Sequence, residues 1–146
     1  MQTASPSAFM ASRSALAFAS TYRSVGVETG IGGATPHQLV AMLYTGLLDT
    51  LAEARGAMRA GQVQAKGNAL TRAVRIVDEG LKAALSPAGG ELSQNLDALY
   101  GYISVRLTQA NLRNDEAAID ECVRLIEPLR EAWASIRPQA DAAGRG

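Results

Sequence analysis

Cysteine is nearly missing from this chain: Cys122 is the only one. No internal disulfide can form, and one thiol cannot build a zinc site. A reducing cytosol is the simplest setting for such a sequence. Histidine is equally scarce, with His37 alone, so a histidine-rich metal centre is excluded, as are the Glu-x-x-His pairs of di-metal carboxylate bundles. No metal and no cofactor are expected. Net charge is missing too. Fourteen basic residues balance fourteen acidic ones, and no net field recruits nucleic acid or anionic lipid. No stretch approaches the length of a membrane span, so membrane insertion is not expected. The run Ala15 to Ser20 is shorter than the apolar region of a secretion signal, with Arg13 as the single charge before it; export of this chain is not expected. Proline occurs five times, and β-branched runs are scarce, which leaves helix as the main element.

What is present is helical patterning on 146 residues, enough for one domain with a real core. Residues 1–34 read as a flexible arm. It carries a short helix over 12–23 with Leu16, Phe18 and Tyr22, then a connection marked by Gly26, Gly30, Gly32 and Gly33. Thr35-Pro36-His37-Gln38 is a written-out helix start. The Thr35 hydroxyl can accept from a first-turn N–H, Gln38 can reach back to close a capping box, and Pro36 loses nothing at the first helical position. From Pro36 to about Ala60, Val40, Leu43, Leu47, Leu51, Ala54 and Met58 recur at helical spacing, and Leu39, Met42, Tyr44 and Leu48 widen the stripe. A second helix is expected from Val63 to Leu85, with a flank of mostly small residues, Ala69, Ile76, Gly80 and Ala83, that leaves a shallow groove. A third runs from Glu91 to Asn111. A fourth opens on Asn114 as N-cap and holds Pro128, which should kink it or end its regular part. The loops are short, so the expected fold is all-α, an antiparallel up-down four-helix bundle over 35–137, with a disordered tail over 138–146.

Catalytic groups do not assemble in this pattern. His37 reads as a solvated first-turn residue without partners. Cys122 reads as a small core hydrophobe. Asp115, Glu116, Asp120 and Glu121 read as a solvated helix start favoured by the dipole. What remains is more apolar and aromatic surface than one core seam needs. Tyr100 reads equally as core or surface. Tyr102, on a second stripe of the third helix with Ala98, Val105 and Leu112, is harder to bury. Surplus surface of this kind serves partners rather than chemistry, and a groove between helices suits an amphipathic segment.

Thr35 to Tyr44 resembles the opening of the flagellar secretion chaperone family FliS. The stretch Gly89 to Tyr102 is similar to that family's third-helix motif, as is Arg106 to Asp115. Lys66-Gly67, Ala73 and Ile76 to Leu81 fit its second helix, Tyr22 with Val25 its N-terminal segment, and Trp133 its closing tryptophan. The likeness runs in order from Tyr22 to Trp133. Thr45 and Gly101 stand where the family often carries Asp. The resemblance implies a four-helix bundle that binds and does not catalyse. It implies a cytosolic chaperone that holds the disordered C-terminal region of flagellin, prevents premature polymerisation and hands it to the flagellar export gate. It also implies that the N-terminal segment covers part of the apolar surface until flagellin replaces it. The groove or lid so implied comprises Tyr22, Val25, Leu39, Val40, Leu43, Tyr44, Leu47, Ile76, Gly80, Asn95, Leu99, Tyr102, Arg106 and Asn111. Two other readings stand beside it: a self-associating helical adaptor, in which the same surface makes a homodimer, and an enzyme with a cofactor in the bundle core.

Overall fold

The computed structural model describes residues 17–23 and 34–136. Four helical columns form the body: α1 (Pro36–Arg59), α2 (Val63–Arg75) continued by a π-helical segment (Ile76–Lys82), α3 (Gly90–Arg113) and α4 (Glu116–Ser135). A 3-10 turn (Pro87–Gly89) leads into α3. This is the all-α bundle expected from the pattern. The expected tail over 138–146 and the glycine-marked connection lie outside the described residues.

The capping box at the start of α1 is formed as the sequence dictates. The Gln38 N–H donates to Thr35 Oγ1 at 3.1 Å, and the Thr35 N–H donates to Gln38 Oε1 at 2.9 Å. Neighbouring columns run antiparallel, as the pairs across them show. Leu43 meets Gly80 while Glu53 bonds Arg72. His37 meets Trp133 while Arg59 bonds Glu116. Lys66 reaches Asn111 while Asp78 bonds Ser104. The core between them is continuous and holds Val40, Leu47, Leu51, Leu70, Leu81, Ile103, Leu107, Ile119 and Ile126, all fully buried. Each such side chain contributes on the order of 1.5–3 kcal/mol by leaving water.

Two expectations are corrected, and the alternatives for Pro128 are narrowed. The N-cap of α4 is Asp115, whose carboxylate accepts from the Ala117 N–H at 3.0 Å. Asn114 instead ends α3 in a left-handed conformation (φ 54), a position that Asn tolerates better than most residues. Pro128 does not end α4, which is helical from Glu116 to Ser135. The residue is exposed, so the carbonyl it deprives of a partner can turn to water. The second column is not one α-helix. Its core positions Ala69, Ala73, Val77, Leu81 and Leu85 advance in steps of four, which drift around a helix of 3.6 residues per turn. The wider winding of a π-helix takes up that drift and keeps Val77 and Leu81 inward.

The acids of α4 are also not a free solvated face. Asp120 bonds Arg55 at 2.7 Å, Glu116 bonds Arg59, and Glu121 bonds Arg106 at 2.8 Å. They tie α4 to α1 and α3. The Arg59 guanidinium holds the Glu116 carboxyl below its usual range.

Pro128→Ala should stabilise the bundle by about 1–3 kcal/mol, because it restores one helical hydrogen bond at an exposed position. Thermal unfolding followed by far-UV circular dichroism checks this; an unchanged or lowered midpoint would mean that α4 packs only when bent at the proline.

Candidate docking surface

At one end of the bundle, residues 17–23 lie in a cleft that draws on every helical column. Residues 17–19 form a helical turn, and the chain then becomes extended at Tyr22, which bridges Leu85. The expected helix over 12–23 therefore stops short of Tyr22. Two backbone bonds fix the extended part: the Ser86 N–H donates to the Thr21 carbonyl at 2.6 Å, and the Arg23 N–H donates to the Ala84 carbonyl at 3.0 Å. Gly89 is required here for room. A Cβ on it would lie 2.8 Å from Thr21 Cα and 2.9 Å from Ser93 Cβ.

The platform of the cleft is Trp133. Its indole N–H donates to the His37 carbonyl at 2.9 Å. The His37 ring stacks on the indole at 5.4 Å and 10°, and its Nε2 lies 2.9 Å from the Trp133 carbonyl. A carbonyl only accepts, so Nε2 carries the proton. His37 is 6% exposed, which corrects its reading as a solvated residue. Phe18 and Tyr22 make T-shaped contacts with the same indole at 5.0 and 5.3 Å, a geometry favoured by the ring quadrupoles.

Beside the platform, three phenols meet. Tyr22 Oη lies 3.1 Å from Tyr44 Oη and 2.5 Å from Tyr100 Oη, and the last two are 2.8 Å apart. Tyr100 is therefore core. Burial pushes the acidity constants of all three hydroxyls up from the ordinary value of 10.0, because an anion there would lose its water.

An open apolar groove of about 490 Å³ continues from the cleft, between α1 and the π-helical segment. Leu39, Met42, Leu43, Gly80, Ala83 and Ala84 line it, with Glu79 at the rim. Ala84 belongs to both features, since its carbonyl holds Arg23. Met42 is 58% exposed. A Cβ at Gly80 would lie 2.9 Å from Leu43 Cδ2, so glycine sets the depth of the groove. A smaller hollow of about 230 Å³ lies between α2 and α3, lined by Leu70, Thr71, Val74, Arg75, Leu107, Thr108 and Asn111.

The sequence-predicted residues divide among these places. Leu39, Leu43 and Gly80 line the groove, and Tyr22 fills the cleft over Tyr44. Val40 and Leu47 are fully buried in the bundle, and Tyr44 is the covered floor beneath Tyr22, so none of these three forms an open wall. Ile76 and Leu99 are half-buried and pack on the core. Asn95 is exposed on α3, and Asn111 borders the second hollow. Tyr102 is 45% exposed, and its hydroxyl donates to Glu121 at 2.6 Å, which also accepts from Arg106. Those two donors hold the Glu121 carboxyl below its usual range. Val25 lies outside the described residues. Phe18, His37 and Trp133 were missed as one site. The small residues Gly80 and Ala83 were the signal that located the groove; Ala69 of the same row is buried.

Nothing here favours covalent chemistry. Cys122 is buried, and burial pushes its thiol up to about 12, far from a reactive thiolate. Among the described residues, no helix is long and apolar enough to cross a membrane.

Residues 18–140 match the family model described as flagellar protein FliS. The chain is 48% identical over 120 residues to the flagellar secretion chaperone FliS of Salmonella typhimurium (strain LT2), covering 82% of this chain and 89% of that protein. It is 42% identical over 113 residues to the Escherichia coli (strain K12) protein of the same name, covering 77% and 83%. With the Bacillus subtilis (strain 168) protein of that name the identity is 33% over 106 residues, covering 73% and 78%.

Two outcomes follow for the cleft. Gly89→Ala should expel residues 17–23 while leaving their side chains intact, and the fluorescence of Trp133 should shift to the red with helicity unchanged; an unshifted spectrum would mean that the cleft widens to take the extra carbon. The hydroxyl ring should make stability sensitive to alkali. Its contribution is complete below the unfolded-chain value of about 10 and falls as pH rises above it, because the unfolded tyrosines ionise first. Urea unfolding at a pH near 8 and one near 11 reads this, and Tyr22→Phe should show the smaller loss.

Proposed function

Because this chain belongs to the FliS family of flagellar secretion chaperones, we propose that it is the cytosolic export chaperone of flagellin. It binds the disordered C-terminal region of newly made flagellin, prevents premature polymerisation and delivers it to the type III export apparatus at the flagellar export gate. The observation that carries this reading is the open groove along Leu39, Met42, Leu43, Gly80 and Ala83, joined at Ala84 to the cleft that residues 17–23 fill. The family is one of chaperones and not of enzymes, and its work is binding.

The physics of export suits this layout. A client that must pass a narrow channel unfolded still carries apolar faces that associate with one another. A groove between helices takes an amphipathic segment through anchors spaced three and four residues apart. Ordering the client limits affinity per unit area. Residues 17–23 act as a lid over the cleft, and a client that displaces them binds with its apparent affinity reduced by the fraction of lids that are closed. The result is binding firm enough to hold and loose enough to release. Tyr102, Arg106 and Asn111 lie away from the groove and would meet the client only if it wraps onward across α3.

One observation favours the second reading, a self-associating adaptor. Tyr102, Val105 and Leu112 remain exposed along α3 at 45%, 55% and 81%, a stripe that suits a second copy. Light scattering with and without client separates the two, since a dimer that ignores client belongs to the adaptor.

Calorimetric titration with a peptide covering the C-terminal region of flagellin should give saturable binding with a negative heat-capacity change, the mark of apolar burial. Met42→Glu places a charge in the groove and should weaken that binding by about tenfold or more without loss of helicity. No binding to folded protein would remove the function; full binding by the variant would move the client off this groove.

A further inference from the structure

The cleft that residues 17–23 occupy has one polar spot in an apolar floor. Tyr22, Tyr44 and Tyr100 close a ring of three hydroxyls. In such a ring every hydroxyl can donate once and accept once. All three residues are at most 6% exposed. When Tyr22 leaves, Tyr44 and Tyr100 retain only the bond between them, and one of their hydrogens has no acceptor. An apolar side chain in place of Tyr22 would bury that hydrogen unpaired, at the full cost of its desolvation.

The backbone makes a second demand. Departure of residues 17–23 also frees the Ser86 N–H and the Ala84 carbonyl. A helical segment cannot pair with them, because its own N–H and C=O groups are already bonded to one another. An extended stretch can, as in strand addition. Gly89 keeps the path narrow, with the Thr21 backbone lying where a side chain at residue 89 would stand.

The geometry points to a recognition rule for the client segment that takes this place, with Tyr44 and Tyr100 as its specificity-determining residues. The segment carries a large apolar side chain to replace Phe18 against Trp133. Four residues later its backbone is extended and its side chain bears a hydroxyl or carboxamide, which closes the hydrogen-bond ring with Tyr44 and Tyr100. The rule rests on the exchange of residues 17–23 for client proposed above. It differs from a general demand for apolar surface, which any amphipathic helix would meet.

The test uses the full chain and its Tyr22→Phe, Tyr44→Phe and Tyr100→Phe variants, each titrated calorimetrically with the flagellin C-terminal peptide. Circular dichroism verifies the fold of each, and Tyr100→Phe alone suffices if Tyr44→Phe does not fold. Tyr22→Phe removes a hydroxyl from the lid only. The lid then competes less well, and the apparent affinity for client should rise about fivefold, the worth of one hydrogen bond. Tyr44→Phe and Tyr100→Phe remove the hydroxyl from the cleft, which weakens lid and client alike. Their apparent affinities should stay within about twofold of the parent. If these two instead rise as far as Tyr22→Phe does, the client ignores the cleft hydroxyls and the rule is wrong, while the chaperone reading stands. An unchanged affinity in Tyr22→Phe would overturn the exchange itself, and with it the rule. Absence of binding by every form would overturn the flagellin reading and the rule together. Light scattering that finds a dimer dissociated by Tyr22→Phe would assign the cleft to a second copy's residues 17–23 and overturn the client as its occupant.

Discussion

The reciprocal bond between His37 and Trp133 closes this bundle. The indole N–H of one reaches the carbonyl of the other, and the imidazole N–H returns the contact. Each backbone carbonyl thereby satisfies the other residue's ring N–H, which would otherwise cost about 1–3 kcal/mol unpaired. The pair joins the first turn of α1 to the end of α4, the two ends that no loop connects. Everything at that end of the molecule is built upon it. Phe18 and Tyr22 pack on the indole, Tyr22 completes the hydroxyl ring, and the extended backbone beside it pairs with residues 84–86. At the opposite end, ion pairs do similar work with less burial: Arg55 and Arg59 of α1 hold Asp120 and Glu116 of α4. Such exposed pairs set register more than stability.

How much could be read from the sequence depends on how local each feature is. The capping box of Thr35 and Gln38 needs only four adjacent residues, and it formed as written. The four helices follow from a period that repeats over twenty residues or more, and they too were legible. His37 was misread because its partner lies 96 residues away, and no local pattern signals a stacking indole. The acids of α4 were misread for the same reason, since their arginines stand on other helices. At the corner between α3 and α4, Asn114 and Asp115 are both good caps. The need for a left-handed residue at the end of α3 decides between them, and that need comes from the turn. The π-helical segment had a signal in the steps of four through Ala73, Val77, Leu81 and Leu85, but such steps also fit an α-helix over short spans.

The site was legible as a surplus and not as a map. The excess of apolar residues on α1 predicts that some surface stays uncovered. Which residues those are depends on helix spacing, set here by contacts such as Gly80 against Leu43. Val40 and Leu47 fell inside, while Leu39 and Met42 fell outside, although all four share one helix. The row of small residues was the better guide, because Gly80, Ala83 and Ala84 leave a hollow beside the larger side chains of α1 that face them.

The cleft is assembled from parts far apart in the chain. The segment that fills it is made first, at residues 17–23, two of its phenols stand on α1 and α3, and its platform, Trp133, comes last. Synthesis runs in that order. On the ribosome that segment therefore exists long before it has anywhere to rest, and the groove beside it stands next to an unfinished floor. A nascent chain cannot close its own cleft until α4 has emerged and folded back. The order of the sequence thus acts as a clock, delaying closure of the cleft until the bundle is complete.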